Sequence, residues 1–128
     1  MTPTTNAANT TDHQRRAIIE TLFGGGTFKS PDEEYELRAD DFTAEIPQTG
    51  ERWESREALR DMQRGIGAPP AVRLEQVRGQ GDLWVVEAVQ TYERDGQHHT
   101  CIVIEFEGDK IVRETRYYVP SSTPPERD

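Results

Sequence analysis

Two glycine-containing pairs, Asp95-Gly96 and Gly108-Asp109, cut the run Leu83–Val119 into three stretches rich in β-branched and aromatic residues: Leu83–Arg94, Gln97–Glu107 and Lys110–Val119. Glycine takes the positive φ that two-residue hairpin loops require, so the spacing predicts a three-stranded antiparallel meander. With two residues in each loop, alternation assigns every side chain to a face. One face collects Trp84, Val86, Ala88, Gln90 and Tyr92, then His99, Cys101, Val103 and Glu105, then Glu114, Arg116 and Tyr118. The other carries Ile102, Ile104, Phe106 and Ile111 and reads as an apolar wall. The first face mixes aromatics with ionisable groups that are costly to bury without partners. It suits a pocket, and equally an ordinary sheet whose polar positions are solvated.

At 128 residues the chain suits one domain with a real core. Fifteen basic against twenty-four acidic residues give a net charge of −9, which disfavours nucleic acid or an anionic membrane as partner. Cys101 is the single cysteine, so no intrachain disulfide and no thiolate zinc cluster is expected, and a reducing compartment fits. No signal-peptide apolar region is visible, nor any apolar run near the ~18 residues of a membrane span. The expectation is a soluble cytoplasmic protein without a cofactor.

Residues 1–10 are Thr/Asn/Ala-rich without apolar periodicity and read as a flexible tail. Thr11-Asp12-His13-Gln14 fits a capping box, and Ala17, Ile18 and Leu22 follow at helical spacing up to Gly24-Gly25-Gly26. Those glycines follow a helix and precede no Lys-Ser/Thr, so they read as a stop, not a phosphate loop. Ser30-Pro31-Asp32-Glu33 opens a short second helix, its serine the N-cap and its proline at the first helical position. Phe42–Pro47 reads as a short strand, and Gln48-Thr49-Gly50-Glu51 as the turn after it. Ser55 caps a third helix running to Arg64 with Ala58, Leu59 and Met62 on its buried stripe. Val72–Arg78 alternates as a strand leading into the meander. Residues 120–128 are Pro/Ser-rich and read as an extended tail. The order is that of an α+β domain with helices on one sheet face.

Asp40-Asp41-Phe42, Pro47-Gln48-Thr49-Gly50-Glu51-Arg52, Arg56-Glu57, Gly81-Asp82-Leu83-Trp84-Val85-Val86-Glu87, Glu105-Phe106 and Lys110-Ile111-Val112-Arg113-Glu114-Thr115 occur in this order. Together they resemble the SnoaL-like, polyketide-cyclase-like branch of the nuclear transport factor 2-like superfamily over Thr11–Val119. The resemblance implies a cone-shaped α+β fold, a curved antiparallel sheet wrapped against three N-terminal helices with a pocket between. Such a fold hosts many unrelated chemistries. Matched to limonene epoxide hydrolase, the catalytic Asp-Arg-Asp positions fall on Gln90, Ala88 and Arg116, and the water-positioning ones on Ala44 and Ile46. None carries the required group, so that chemistry is not expected. The acidic base of SnoaL-type cyclases resembles in position Arg116, which cannot serve as an ordinary base.

In the inferred register Gln90 lies beside Cys101, and Cys101 beside Arg116. Glu114 next to Arg116 reads either as an acid/base with an electrostatic partner or as an internal salt bridge. Glu105 is a further candidate acid/base, and His99, in a row with Tyr92 and Tyr118, a candidate proton shuttle. His98, His99 and Cys101 put too few ligands on one face for zinc, so no metal is expected. The leading expectation is a non-catalytic or weakly catalytic pocket for a small, mostly apolar ligand with an anionic or carbonyl group. Ala44, Ile46, Gln48, Trp84, Ala88, Gln90, Tyr92, Cys101, Arg116 and Tyr118 would line it. The alternatives are a cyclase, isomerase or dehydratase using Glu114, His99 or Glu105, and a structural dimerisation module with a filled core. The row Ile102, Ile104, Phe106, left uncovered in this register, predicts a homodimer through that face.

Overall fold

The computed structural model describes residues 3–24, 30–66, 71–92 and 96–120, the side chains of 3–10 and Ile66 excepted. In chain order the elements are α1 (Pro3–Phe23), α2 (Pro31–Glu36), β1 (Arg38–Ile46), β2 (Glu51–Trp53), α3 (Arg56–Ile66), β3 (Ala71–Gln80), β4 (Leu83–Tyr92), β5 (Gly96–Glu107) and β6 (Lys110–Pro120). The strands form one curved, unclosed sheet in the order β2-β1-β6-β5-β4-β3. Neighbours are antiparallel except β1 and β6, which run parallel. This is the expected α+β arrangement with helices on one face.

The caps of the second and third helices are as read: the Glu33 amide donates to Ser30 Oγ (3.3 Å) and the Ala58 amide to Ser55 Oγ (3.0 Å). Helix α1 differs. It begins at Pro3, not at Thr11, so most of the expected tail is helical; proline is tolerated in a first helical turn, where its missing N–H has no partner to lose. Strand β1 starts four residues before the expected Phe42, at Arg38, and the short edge strand β2 was not anticipated. The expected C-terminal tail beyond Pro120 and the second and third glycines of the α1 stop lie outside the described residues.

The β4–β5 register departs from the sequence reading by three residues, an odd number, with large consequences: Gln90 pairs with His98, not Cys101. Tyr92 pairs with Gly96, leaving residues 93–95 between them, three instead of two. Gly96 takes the positive φ (75°) at the first position of β5. The second turn is as expected, Glu107 pairing with Lys110 around Gly108 (φ 62°). Immediately beyond it Phe106 pairs with Ile111 but Glu105 with Arg113, so Val112 is an extra residue in β6. Such a bulge shifts the facing of everything after it. The two odd shifts cancel between β4 and β6, and β5 alone is reversed. Ile102, Ile104 and Phe106 (1%, 0% and 3% exposed) therefore point inward, into a core with Ile19, Leu22 and Phe23 of α1. They are unavailable as the dimer face that the two-residue loop implied. His99, Cys101 and Glu105 turn to the outer face.

Two features fix the end of the sheet that carries the β3–β4 and β5–β6 turns. Arg15 of α1 donates from Nη1 to the Gly81 carbonyl (2.5 Å) and to Asp82 Oδ1 (2.7 Å), and from Nε and Nη2 to the Gly108 carbonyl (3.2 and 3.0 Å). One guanidinium, lying over the Phe106 ring, thus ties the helix to the β3–β4 and β5–β6 turns together. Beside it Asp12, in the expected capping box, accepts from the Gly81 amide (2.9 Å). The second feature is Gly79 (φ 150°), paired with Trp84. A Cβ there would stand 2.4 Å from the Leu83 carbonyl oxygen and 2.9 Å from Trp84 Cδ2. Gly79→Ala is expected to cost about 2–4 kcal/mol in urea unfolding, because backbone rather than a flexible side chain must yield. Gly65→Ala, on open space in helix α3, is expected to stabilise by about 0.5–1 kcal/mol in the same measurement.

Candidate functional site

From the β3–β4 turn outward, cross-strand pairing sets the inner face of β4, β5 and β6 in rows: Trp84, Ile104 and Glu114; Val86, Ile102 and Arg116; Ala88, Thr100 and Tyr118; then Gln90 and His98. Ala44 of β1 flanks Glu114. The first two rows are apolar on β4 and β5 and charged on β6, and the later rows are polar.

Through the first two rows runs a chain of buried charges. Glu114, fully buried, accepts from Arg38 Nε at Oε2 (2.8 Å) and from Arg116 Nε and Nη2 at Oε1 (2.9 and 2.6 Å). Arg38 Nη1 donates to Glu34 Oε1 (3.2 Å), which also accepts from Gln63 Nε2 (2.9 Å). At the other end Arg116 Nη1 contacts the Tyr118 hydroxyl (3.3 Å). The result joins β6, β1, α2 and α3 through two carboxylates and two guanidiniums. Burial alone would raise the Glu114 carboxyl, but Arg38 and Arg116 outweigh it and hold it at about 2. Arg116 is fixed as a cation, since Glu114 more than offsets its burial. Glu34 goes the other way: burial raises it, and Arg38 and Gln63 offset this only in part.

The expected site residues separate into two groups. Ala44, Ile46, Trp84, Ala88, Gln90 and Arg116 are buried on the inner face. Gln90 Oε1 accepts from the Tyr92 hydroxyl (2.5 Å). Gln48 clamps the backbone of Tyr118, its amide donating to the carbonyl (3.1 Å) and its Oε1 accepting from the N–H (2.7 Å). Glu114 is inside, but its oxygens are committed to two arginines, the geometry of the internal salt bridge. His99, Cys101 and Glu105 lie on the opposite side of the sheet. Glu105 pairs there with Arg113 (3.7 Å). Burial, with Glu87 beside it, pushes the Cys101 thiol up, away from thiolate. His99, Cys101, Glu87 and Tyr117 border an outer groove of about 430 Å³.

Sequence reasoning missed five polar residues of the interior: Glu34, Arg38, Gln63, His98 and Thr100. The last two replace His99 and Cys101 through the reversal of β5. His98 Nδ1 and Thr100 Oγ1 are buried without a hydrogen-bond partner, as are Arg38 Nη2 and Gln63 Oε1. The His98 ring meets the Tyr92 ring edge-on, with centroids 5.3 Å apart. The available signals were the four-residue spacing of Glu34 and Arg38 across the α2–β1 junction and the tandem His98-His99, one of which must face inward. Among the described residues, no group of three His, Cys, Asp or Glu side chains could hold a metal, and no helix is long and apolar enough to cross a membrane.

The sequence matches no protein-family model and no curated protein. Solved structures do match. An NTF-2-like protein of unknown function from Burkholderia xenovorans LB400 superposes with a TM-score of 0.79 at 25% identity, covering 88% of each chain. The fold is that of the nuclear transport factor 2-like superfamily. A Catenulispora acidiphila DSM 44928 protein with a ketosteroid isomerase-like fold, solved with trimethylamine, matches at a TM-score of 0.68 and 18% identity over 80% of this chain and 85% of that one. A Mycobacterium tuberculosis epoxide hydrolase resembling the limonene enzyme matches at 0.65 and 14% identity over 84% of each. At these identities the last two bear on the nuclear transport factor 2-like fold alone.

The two buried carboxylates push stability in opposite directions with pH. Glu114 binds its proton less readily in the folded state, so its contribution is complete above 4.5 and lost as pH falls towards about 2. Glu34 binds its proton more readily when folded, so its contribution is lost as pH rises above 4.5. Urea unfolding across acid and neutral pH is expected to show Glu114→Gln losing about 3–5 kcal/mol at neutral pH, as an uncompensated guanidinium remains buried, together with the acid-side rise. Glu34→Gln is expected to remove the decline above 4.5.

Proposed function

We propose that this chain is a binding protein for a small, mostly apolar ligand bearing a carbonyl or acidic oxygen, held at the polar end of the inner face and not chemically transformed. The observation that carries this reading is the pair of buried, unpartnered atoms Thr100 Oγ1 and His98 Nδ1, set beyond Arg116 on the inner face, Thr100 in the row of Ala88 and Tyr118 and His98 beside Gln90. Buried polar atoms are nearly always satisfied, so two on one strand face call for a guest or an ordered water. A non-catalytic role is supported by the acid/base candidates: Glu114 is held down at about 2 between two arginines, and His99 and Glu105 are across the sheet. Epoxide hydrolysis, the activity of one structural neighbour, would have to use Ala88, Gln90 and Arg116, none of which can activate water.

A second reading concerns assembly. The exposed large apolar side chains among the described residues, Leu83 (54%), Tyr117 (38%) and Val119 (54%), all belong to the outer face. A second copy of the chain is the proposed cover, on the face opposite to Ile102, Ile104 and Phe106. The single free thiol is in keeping with a cytoplasmic setting.

A thermal-shift panel of small apolar acids and their methyl esters is expected to contain stabilising members, and limonene oxide to be turned over no faster than in buffer. A panel without any stabilising compound, or clear turnover, would overturn the proposal. In sedimentation velocity the chain is expected to run as a dimer at micromolar concentration and Tyr117→Glu as a monomer; a monomeric unmodified chain excludes the outer-face pairing.

A further inference from the structure

The proposed binding reading leaves the ligand's charge open, and the buried network bears on it. Every charged side chain of that network has its counterpart within it: Arg116 gives two of its nitrogens to Glu114 and contacts Tyr118 with the third, while Arg38 divides between Glu114 and Glu34. Two carboxylates and two guanidiniums sum to zero. An anion lodged beside Arg116 would therefore be desolvated without a free cation to meet it, or would have to displace Glu114, leaving that carboxylate stranded at 0% exposure. The sequence alone, showing Glu114 beside Arg116 but not Arg38 and Glu34, left an acid and a carbonyl equally open.

Of the buried atoms without a partner, Arg38 Nη2 and Gln63 Oε1 belong to this charge-balanced network, whereas His98 Nδ1 and Thr100 Oγ1 lie outside it on β5. Thr100 (3% exposed) offers a hydroxyl that can donate and accept, and its cross-strand neighbour Ala88 (2% exposed) has only a methyl beside it. Tyr118, its neighbour on the other side, ends in a second hydroxyl. In the next row Val86 and Ile102 are buried apolar neighbours, with Arg116, already committed to Glu114, at its β6 end. Resting on the proposed binding role, we infer that the site selects uncharged ligands, a ring-sized ketone or alcohol whose oxygen meets the Thr100 hydroxyl, and rejects the corresponding acids.

The test uses three probes built on one ring, cyclohexanone, cyclohexanol and cyclohexanecarboxylate, titrated at millimolar concentration into the isotope-labelled full chain at pH 8, where the carboxylate probe is ionised. Amide shifts report both place and affinity. The ketone and alcohol are expected to move the amides of Ala88, Thr100 and Tyr118, and the carboxylate to bind at least about tenfold more weakly. Thr100→Val should weaken the two neutral probes by about threefold to tenfold, the worth of one hydrogen bond, while Thr100→Ser restores them. Carboxylate binding at these amides as tightly as the ketone overturns the selectivity and leaves the binding site standing. Neutral probes bound equally by Thr100→Val overturn the role of Thr100. Shifts confined to other amides, or none from any probe, overturn the binding reading itself.

Discussion

The fold depends on one carboxylate placed where water cannot reach it. Glu114 sits on β6 at 0% exposure, and a lone ion in that position would either unfold the sheet locally or take up a proton. Arg116 comes from the same strand face, two residues on. Arg38 comes from β1, whose parallel pairing with β6 brings the start of one strand alongside the other. Through Arg38 the requirement passes to Glu34 and then to Gln63, so α2 and α3 are positioned by electrostatics as well as by Leu59 and Phe42. Two well-packed hydrophobic residues could do the same with less desolvation. What the ionic version adds is direction: hydrogen bonds of fixed geometry admit few alternative placements of α2.

Much of the architecture was legible in local chemistry. Ser30 and Ser55 are caps because a hydroxyl there meets an otherwise unpaired amide, and Gly108-Asp109 is a turn because glycine accepts a left-handed φ. The interior was less legible, for a reason of parity. Loop length sets which side of a strand faces in, and Asp95-Gly96 looks the same whether glycine ends the loop or begins the strand. The bulge at Val112 gives no compositional warning, since valine is ordinary in a strand. One residue in the loop and one in the bulge therefore exchanged Cys101 for Thr100 and His99 for His98. Positions on β4 and β6, where the two errors cancel, were placed correctly: Ala88, Gln90 and Arg116 do face inward.

The long-range partners were invisible for another reason. Nothing in the neighbourhood of Arg38 announces that a carboxylate 76 positions later will meet it; the parallel β1–β6 pairing that joins them is a property of topology. Arg15 is similar, a helix residue whose hydrogen bonds go to turns 66 and 93 positions away. The structural neighbours share the fold, and a protein of unknown function and an epoxide hydrolase stand among them.

The reversal of β5 has an evolutionary corollary. The strand carries two complete sets of side chains: one inside, with Ile102, Ile104, Thr100 and His98, and one outside, with Cys101, Val103, Glu105 and His99. Both contain β-branched residues and a histidine. Paired changes in length, one residue from the 93–95 loop and one from the bulge at Val112, would rotate the outer set inward without altering β4 or β6. A thiol, an imidazole and a carboxylate would then face the same interior. Two indels at strand ends thus give this fold access to a different chemical lining, a change that substitution would need many separate steps to reach.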